Sequence, residues 1–549
     1  MRFERRTFLK LVSAGVAATW DGLAPLGLNT AVAAPALGAR REGGELTFLI
    51  DNLDTGWGPN EKIDNFTGVV WGQIADKLVY VDEKGQPTPW IAERWDENAQ
   101  QTEFTLHLKH GVTFSDGSAV DARTVAANID FWAKGDPSRG IARLGLFPSE
   151  HYQGAVAVDD HTVRVTFSSP TLSFIGTLGY HKTVLKTLAS INLKTEELGD
   201  LGKQVGSGPF TVASWRQGDS VVLVKRKDYN WGPAAIGHQG AASLDRITFK
   251  VVRDPSLRAA AVEAGQAEVA FNVSPQELRP LKAKGLKVTV PEALGFTGGY
   301  RVNTQTPHFD DVRLRRAIQH AIDRKEILNT VFTDDWKLSV SLLQSNVPEA
   351  VDLSKLFAYD PDTSRRLLDE AGWKAGKDGF RTKDGQKLEF KLYASPWVST
   401  SRQVGEVVSQ QLQQVGINAA LQVVDVPTFN ARVRNNNSVP FSESSRSFLD
   451  AGVVGSALTN AHKGDDWFKL GQSDATLNRL AEAITTAADR KQRAQLLADA
   501  QRYVIEQGLF IPIVELVQRL YVQTPRLQGE AYGGAGYVLY HGAWLGQEG

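Results

Sequence analysis

The chain has 549 residues, 61 Lys and Arg against 62 Asp and Glu, and no cysteine. That length exceeds what one core serves and predicts two or three domains, while the balanced charge offers no basic face for nucleic acid or a membrane surface. Without cysteine there are no disulfides, no thiol nucleophile, no Cys-ligated metal and no lipoprotein-type anchor.

Met1 to Lys10 reads M-R-F-E-R-R-T-F-L-K, and a mildly apolar run follows from Leu11 to Ala18. A charged start, a short apolar run and Ala31-Val32-Ala33 before Ala34-Pro35 predict a cleaved export signal over 1–33. The run is shorter than the roughly 20 residues a membrane span needs. Arg5-Arg6 with Phe8-Leu9-Lys10 resembles a twin-arginine signal, with Glu4 where Ser or Thr is usual. An exported, unanchored chain is retained only inside an outer membrane, so the expected location is the periplasm.

Residues 43–50 read as a strand, with Leu46, Phe48 and Ile50 on one face. A polar loop with Asp54 and Trp57 follows, then a helix from Phe66 to Val81 and a strand end. Residues 102–108 alternate as a strand, and 111–117 read as strand and turn. Asp121 is placed to cap a helix through Val125, Ile129 and Trp132. Residues 156–165 form two apolar runs around Asp159-Asp160-His161, a hairpin pattern. Asp310 or Asp311 caps a helix with the stripe Leu314, Ala317, Ile318, Ala321 and Ile322, which leaves Arg313, Arg315 and Arg316 as solvated faces. Asp360-Pro361 opens a helix that Gly372 ends. Two Lys-Asp-Gly turns, at 377–379 and 383–385, flank a short ribbon. A strand through Leu388, Phe390 and Leu392, a helix from Val404 to Val415 and a strand over 417–424 complete the pattern. Strands and helices alternate with short loops, which is an α/β pattern.

The sequence holds no G-x-S-x-G nucleophile elbow and no H-E-x-x-H pair. His107 and His110 point to opposite faces of a strand and suit no single ion. No catalytic residue, resident metal or cofactor is predicted, and a periplasmic hydrolase is the remote alternative.

Five pieces in order carry a family resemblance. They are Trp90-Ile91-Ala92-Glu93-Arg94-Trp95 with Gly111-Val112-Thr113-Phe114-Ser115-Asp116-Gly117; Gly206-Ser207-Gly208-Pro209-Phe210 with Tyr229-Asn230-Trp231; Asn303 with residues 309–324; Tyr359-Asp360-Pro361 with Glu370-Ala371-Gly372-Trp373; and Leu412 with Gly416-Ile417. Together they resemble the family 5 extracytoplasmic solute-binding proteins of peptide, opine and nickel ABC importers. The resemblance implies a two-lobed type II (cluster C) periplasmic binding protein of α/β class, with an extra domain on lobe one. Lobe one would take 42–80, 205–293 and 510–549, the extra domain 81–204, and lobe two 294–509. It further implies a monomeric receptor that encloses a peptide or peptide-like zwitterion by hinge closure and delivers it to an inner-membrane ABC permease. A metal chelate or an opine is the alternative ligand.

Within the resemblance, the Gly206-Ser207-Gly208-Pro209 turn would permit hinge motion or close ligand approach. The family's Trp-rich, Asp-bearing stretch of lobe two corresponds to 444–452, where the Trp and the Asp-Pro are missing. Asp450 would stand in for the ammonium-pairing aspartate, Arg446 would pair a carboxylate or phosphate, and Phe448 lies between them. Asp54 and Trp57 sit on the cleft-facing loop after the first strand, and Trp397 follows a strand of lobe two. The predicted ligand site is therefore Asp54, Trp57, Trp397, Arg446, Phe448 and Asp450.

Overall fold

A computed structural model describes residues 40–53, 56–396, 398–433, 439–444, 446–458, 474–515 and 519–547. The predicted export signal, Asp54 and Trp397 lie outside the described residues.

The strand Glu45–Ile50 runs parallel to Arg246–Val251 on one side and to Val269–Phe271 on the other. A central parallel strand must bury both faces. Phe48 does so on one face, against Phe249 at 5.0 Å between ring centroids and Phe271 at 5.8 Å. Leu49 does so on the other, in a cluster with Val262 and Leu278 of the helices Pro255–Glu263 and Pro275–Ala283. Further strands extend this to seven, with Lys287–Thr289 and Phe210–Arg216 at its edges.

A second, five-stranded sheet has the order Asn418–Gln422, Glu389–Tyr393, Phe441–Ser444, Gly298–Val302, Phe510–Val514. The chain passes from the first sheet to the second between Thr289 and Gly298, and returns between Val514 and Tyr521. Phe510–Val514 pairs with Gly298–Val302 and so belongs to the second sheet, not to lobe one as the sequence suggested. All five of its residues are buried, and such an apolar run carries no mark of which sheet will accept it.

Within 81–204, four antiparallel strands lie in the order Ala92–Glu97, Glu103–Leu108, Thr162–Phe167, Tyr152–Ala157. The helix Ala122–Lys134 is started by Asp121, whose carboxylate accepts from the Thr124 N–H at 2.8 Å. The hairpin turns where the Asp159 carboxylate accepts from the His161 N–H at 2.8 Å. His107 turns to Asp96 at 2.8 Å, while His110 stacks on His161.

Asp311 is the cap of the helix Val312–Ala321, accepting from the Arg313 N–H at 2.9 Å. Arg313 is exposed, as expected, but Arg315 is not. Arg315 is buried and donates to the carbonyls of Gln507, Phe309 and Asp310 at 2.8–2.9 Å. The chain returning toward Phe510 covers that face of the helix.

Candidate functional site

The crossing segment before Gly298 is zipped to the 446–448 run. Phe296 N–H donates to the Arg446 carbonyl at 2.9 Å, and Phe448 N–H donates to the Leu294 carbonyl at 3.0 Å. The two backbones meet so closely that a Cβ on Gly295 would lie 2.4 Å from the Arg446 carbonyl oxygen, which only glycine allows. On its other edge Leu294 N–H donates to the Gly534 carbonyl at 2.8 Å. The crossing segment is thus held between the 446–448 run and the turn at Gly534.

Two cavities flank the crossings. The first is an open cleft with about 800 Å³ of unfilled space, lined by Asn272, Tyr300, Trp336, Glu443 and Glu515 among others. Ser401 donates a hydrogen bond to Glu443, and burial pushes the Glu443 carboxyl up to about 7. Glu515 accepts from the Ser345 N–H at 3.1 Å and is likewise raised by burial.

The second is a smaller recess, with about 350 Å³ of unfilled space, where Lys77, Trp90, His181 and Tyr537 meet Leu449. His181 is buried, with its ring 4.2 Å from Tyr180 and 4.4 Å from Tyr537. The Arg519 guanidinium lies 3.6 Å from the centre of the Tyr537 ring. The Lys77 ammonium sits 5.1 Å from the Trp90 ring. Burial, then the charges of Lys182, Arg519, Lys77 and Arg446, hold the His181 pKa well below its ordinary value. Burial lowers Lys77 to about 8, which the neighbouring Asp76 charge partly opposes.

The predicted residues fall in different places. The Arg446 side chain bonds Tyr180, the neighbour of His181, and the Tyr180 hydroxyl also donates to the Ser447 carbonyl at 3.2 Å. Phe448 is buried and packs edge-on to Phe296 at 5.2 Å. Trp57 is buried against Trp215 at 6.3 Å, its Nε1 without a hydrogen-bond partner among the described residues. Asp450 is held by Arg493, which donates to it at 2.8 Å, and by the Gly452 N–H at 2.7 Å. That Arg493 is itself 3% exposed and also reaches Glu349 at 3.3 Å. The carboxylate expected to read a ligand ammonium thus already has a buried cation. The Gly206–Pro209 turn makes its close approach to a helix end, since a Cβ on Gly206 would lie 2.2 Å from the Ile74 carbonyl oxygen.

Sequence reasoning missed Lys77, Tyr180, His181, Arg519, Glu443 and Glu515. One signal was present: Tyr180-His181-Lys182 interrupts an otherwise apolar run that begins at Phe174. Nothing local marked Arg519, which lies far along the chain from Tyr180.

A family model, the bacterial extracellular solute-binding proteins, family 5 Middle, matches residues 86–444. The chain belongs to this family. It is 27% identical over 510 residues to the glutathione-binding protein GsiB of Salmonella paratyphi A, covering 90% of this chain and 93% of that protein. Among solved structures, NikA from Brucella suis in complex with Fe(III)-EDTA superposes with a TM-score of 0.79 at 24% identity, covering 91% of this chain and all of that one. The periplasmic binding protein DppA from Helicobacter pylori in complex with the peptide STSA gives 0.76 at 21% identity, covering 92% of this chain and 99% of that one. The family member described here therefore has the two-lobed fold of type II periplasmic binding proteins, its lobes built on the seven- and five-stranded sheets. Among the described residues no helix is long and apolar enough to cross a membrane.

Proposed function

We propose that this protein is the periplasmic receptor of an ABC importer, that it captures a peptide or peptide-like solute between its lobes, and that it hands the solute to an inner-membrane permease without chemical change. The observation that carries the reading is a relative named for binding glutathione, itself a peptide, that matches 90% of this chain. The cavities beside the two crossings are where closure of one lobe on the other would enclose a solute. The receptor acts as a monomer in this reading. Asp54 and Trp397, with Arg446, are proposed to face the solute.

Mass spectrometry of whatever copurifies with the native protein tests this. A peptide-like solute that raises the melting temperature, compacts the protein in small-angle scattering and is recovered intact is the expected result. Steady consumption of the solute with a product appearing would replace the receptor by a hydrolase.

A further inference from the structure

The cleft at Glu443 combines two carboxylates with three aromatic rings. Glu443 stands opposite Tyr300 in the antiparallel register of Phe441–Ser444 and Gly298–Val302, so the two side chains share one face of the sheet. Glu515 follows Phe510–Val514, the strand on the other side of Gly298–Val302. The two acids thus enter the cleft from different strands and do not form one cluster. Phe332 and Trp336 supply another wall, with their rings 5.4 Å apart. Asn272 and Leu520, each next to a strand of the first sheet, also line the space.

The described residues that line this cleft include no Lys, Arg or His. Among the described residues, Glu443 accepts from neutral donors, the Ser401 hydroxyl and the Ser395 N–H. Glu515 is 8% exposed and accepts from the Ser345 N–H at 3.1 Å. Lys337 is the cation whose charge acts on Glu515, but its ammonium donates to Glu292. A buried carboxylate gains most from a cation with which it makes a charge-assisted hydrogen bond. The aromatic faces attract a cation independently of the acids, most strongly where water is excluded. The rest of the wall includes Val404, Ile513 and Leu520, which suit a carbon body and not a bare ion. No three His, Asp or Glu side chains gather among the described residues to hold a metal. A solute carboxylate placed here would meet two like charges.

We propose that the cleft formed by Tyr300, Phe332, Trp336, Glu443 and Glu515 is a subsite for an organic cation, so that the receptor selects solutes with more ammonium groups than carboxylates. The carboxylates take the ammonium groups, and the aromatic and aliphatic walls take the carbon chain that carries them. The inference rests on the solute-receptor reading above and narrows its ligand from a zwitterion to a net cation.

Calorimetric titration of the ligand-stripped full chain tests it, at pH 8, where the Glu443 carboxyl is ionised. The probes are the dipeptides Lys-Lys, Ala-Ala and Glu-Glu and the non-peptide triamine spermidine. Lys-Lys is expected to bind about thirtyfold tighter than Ala-Ala, and Glu-Glu weakest of all. Glu443→Gln should cut the preference for Lys-Lys over Ala-Ala about tenfold with unchanged circular dichroism, and Glu443→Asp, which keeps the charge, should retain most of it. An equal loss for all three dipeptides in Glu443→Gln would mean that the carboxyl only holds Ser401, and would overturn the subsite. Ala-Ala or Glu-Glu binding as tightly as Lys-Lys overturns the cation subsite and leaves the peptide reading standing. Spermidine binding without any dipeptide keeps the subsite and removes the peptide reading. Binding of no probe overturns both.

Discussion

In the cleft at Glu443 the buried ionisable groups are acids, and in the recess at His181 they are bases. Burial acts on both by the same physics, since it always disfavours the charged form, yet the results have opposite sign. The Glu443 carboxyl rises from 4.5 to about 7, and the Lys77 ammonium falls from 10.5 to about 8. Glu443 can shed its charge by taking a proton near neutral pH. Lys77 can likewise shed its charge, by losing a proton above about 8.

The pH dependences follow from these shifts. Glu443 binds its proton more tightly folded than unfolded, so its contribution to stability declines as pH rises from 4.5 to about 7. Lys77 binds its proton less tightly folded than unfolded, so its penalty is full below about 8 and fades as pH rises toward 10.5.

The largest expected effect tests why Asp450 does not neutralise the recess. Arg493→Met leaves Asp450 and Glu349 without their buried cation and should cost about 3–5 kcal/mol in urea denaturation. A loss under about 1 kcal/mol would show that Asp450 is free to serve the recess, and the contrast between the two cavities would fail. Next, Glu443→Gln should match the wild type at pH 4.5 and exceed its stability by up to about 3 kcal/mol at pH 8. Stability curves that stay parallel between those pH values would remove Glu443 as the titrating group. Lys77→Met should stabilise the ligand-free protein by about 2 kcal/mol at pH 7, with the gain shrinking toward pH 10.5. Thermal unfolding across that range would decide it, and a destabilised variant would mean that the Trp90 contact outweighs the buried charge. The smallest effect is a control remote from both cavities: Asp121→Ala removes a helix cap and should cost about 1 kcal/mol equally at pH 6 and pH 9.

What local chemistry specifies was legible in the sequence. Asp121, Asp311 and Asp360 each accept from a backbone N–H at the start of a helix, as their positions before apolar stripes implied. The strand over 45–50 and the hairpin around Asp159 formed for the same reason, because alternation and turn residues act over a few positions. Arg315 was misjudged because helical spacing tells one face from another but not how many faces a later segment will cover. Asp450 was misjudged because its partner lies 43 residues on, at Arg493. The burial of Lys77 and Arg519 was not legible, because in the sequence they resembled any surface cation.

The sequence by itself determined the secondary elements, their caps and turns, and the family, since each depends on residues near one another or on motifs in fixed order. The tertiary structure decided which sheet receives Phe510–Val514, which carboxylate Arg493 holds, and that Lys77 and His181 line one recess. Those outcomes depend on contacts between segments from 43 to more than 200 residues apart, and the gain or cost of burying an apolar strand or a charge exists only once the chain has closed around it.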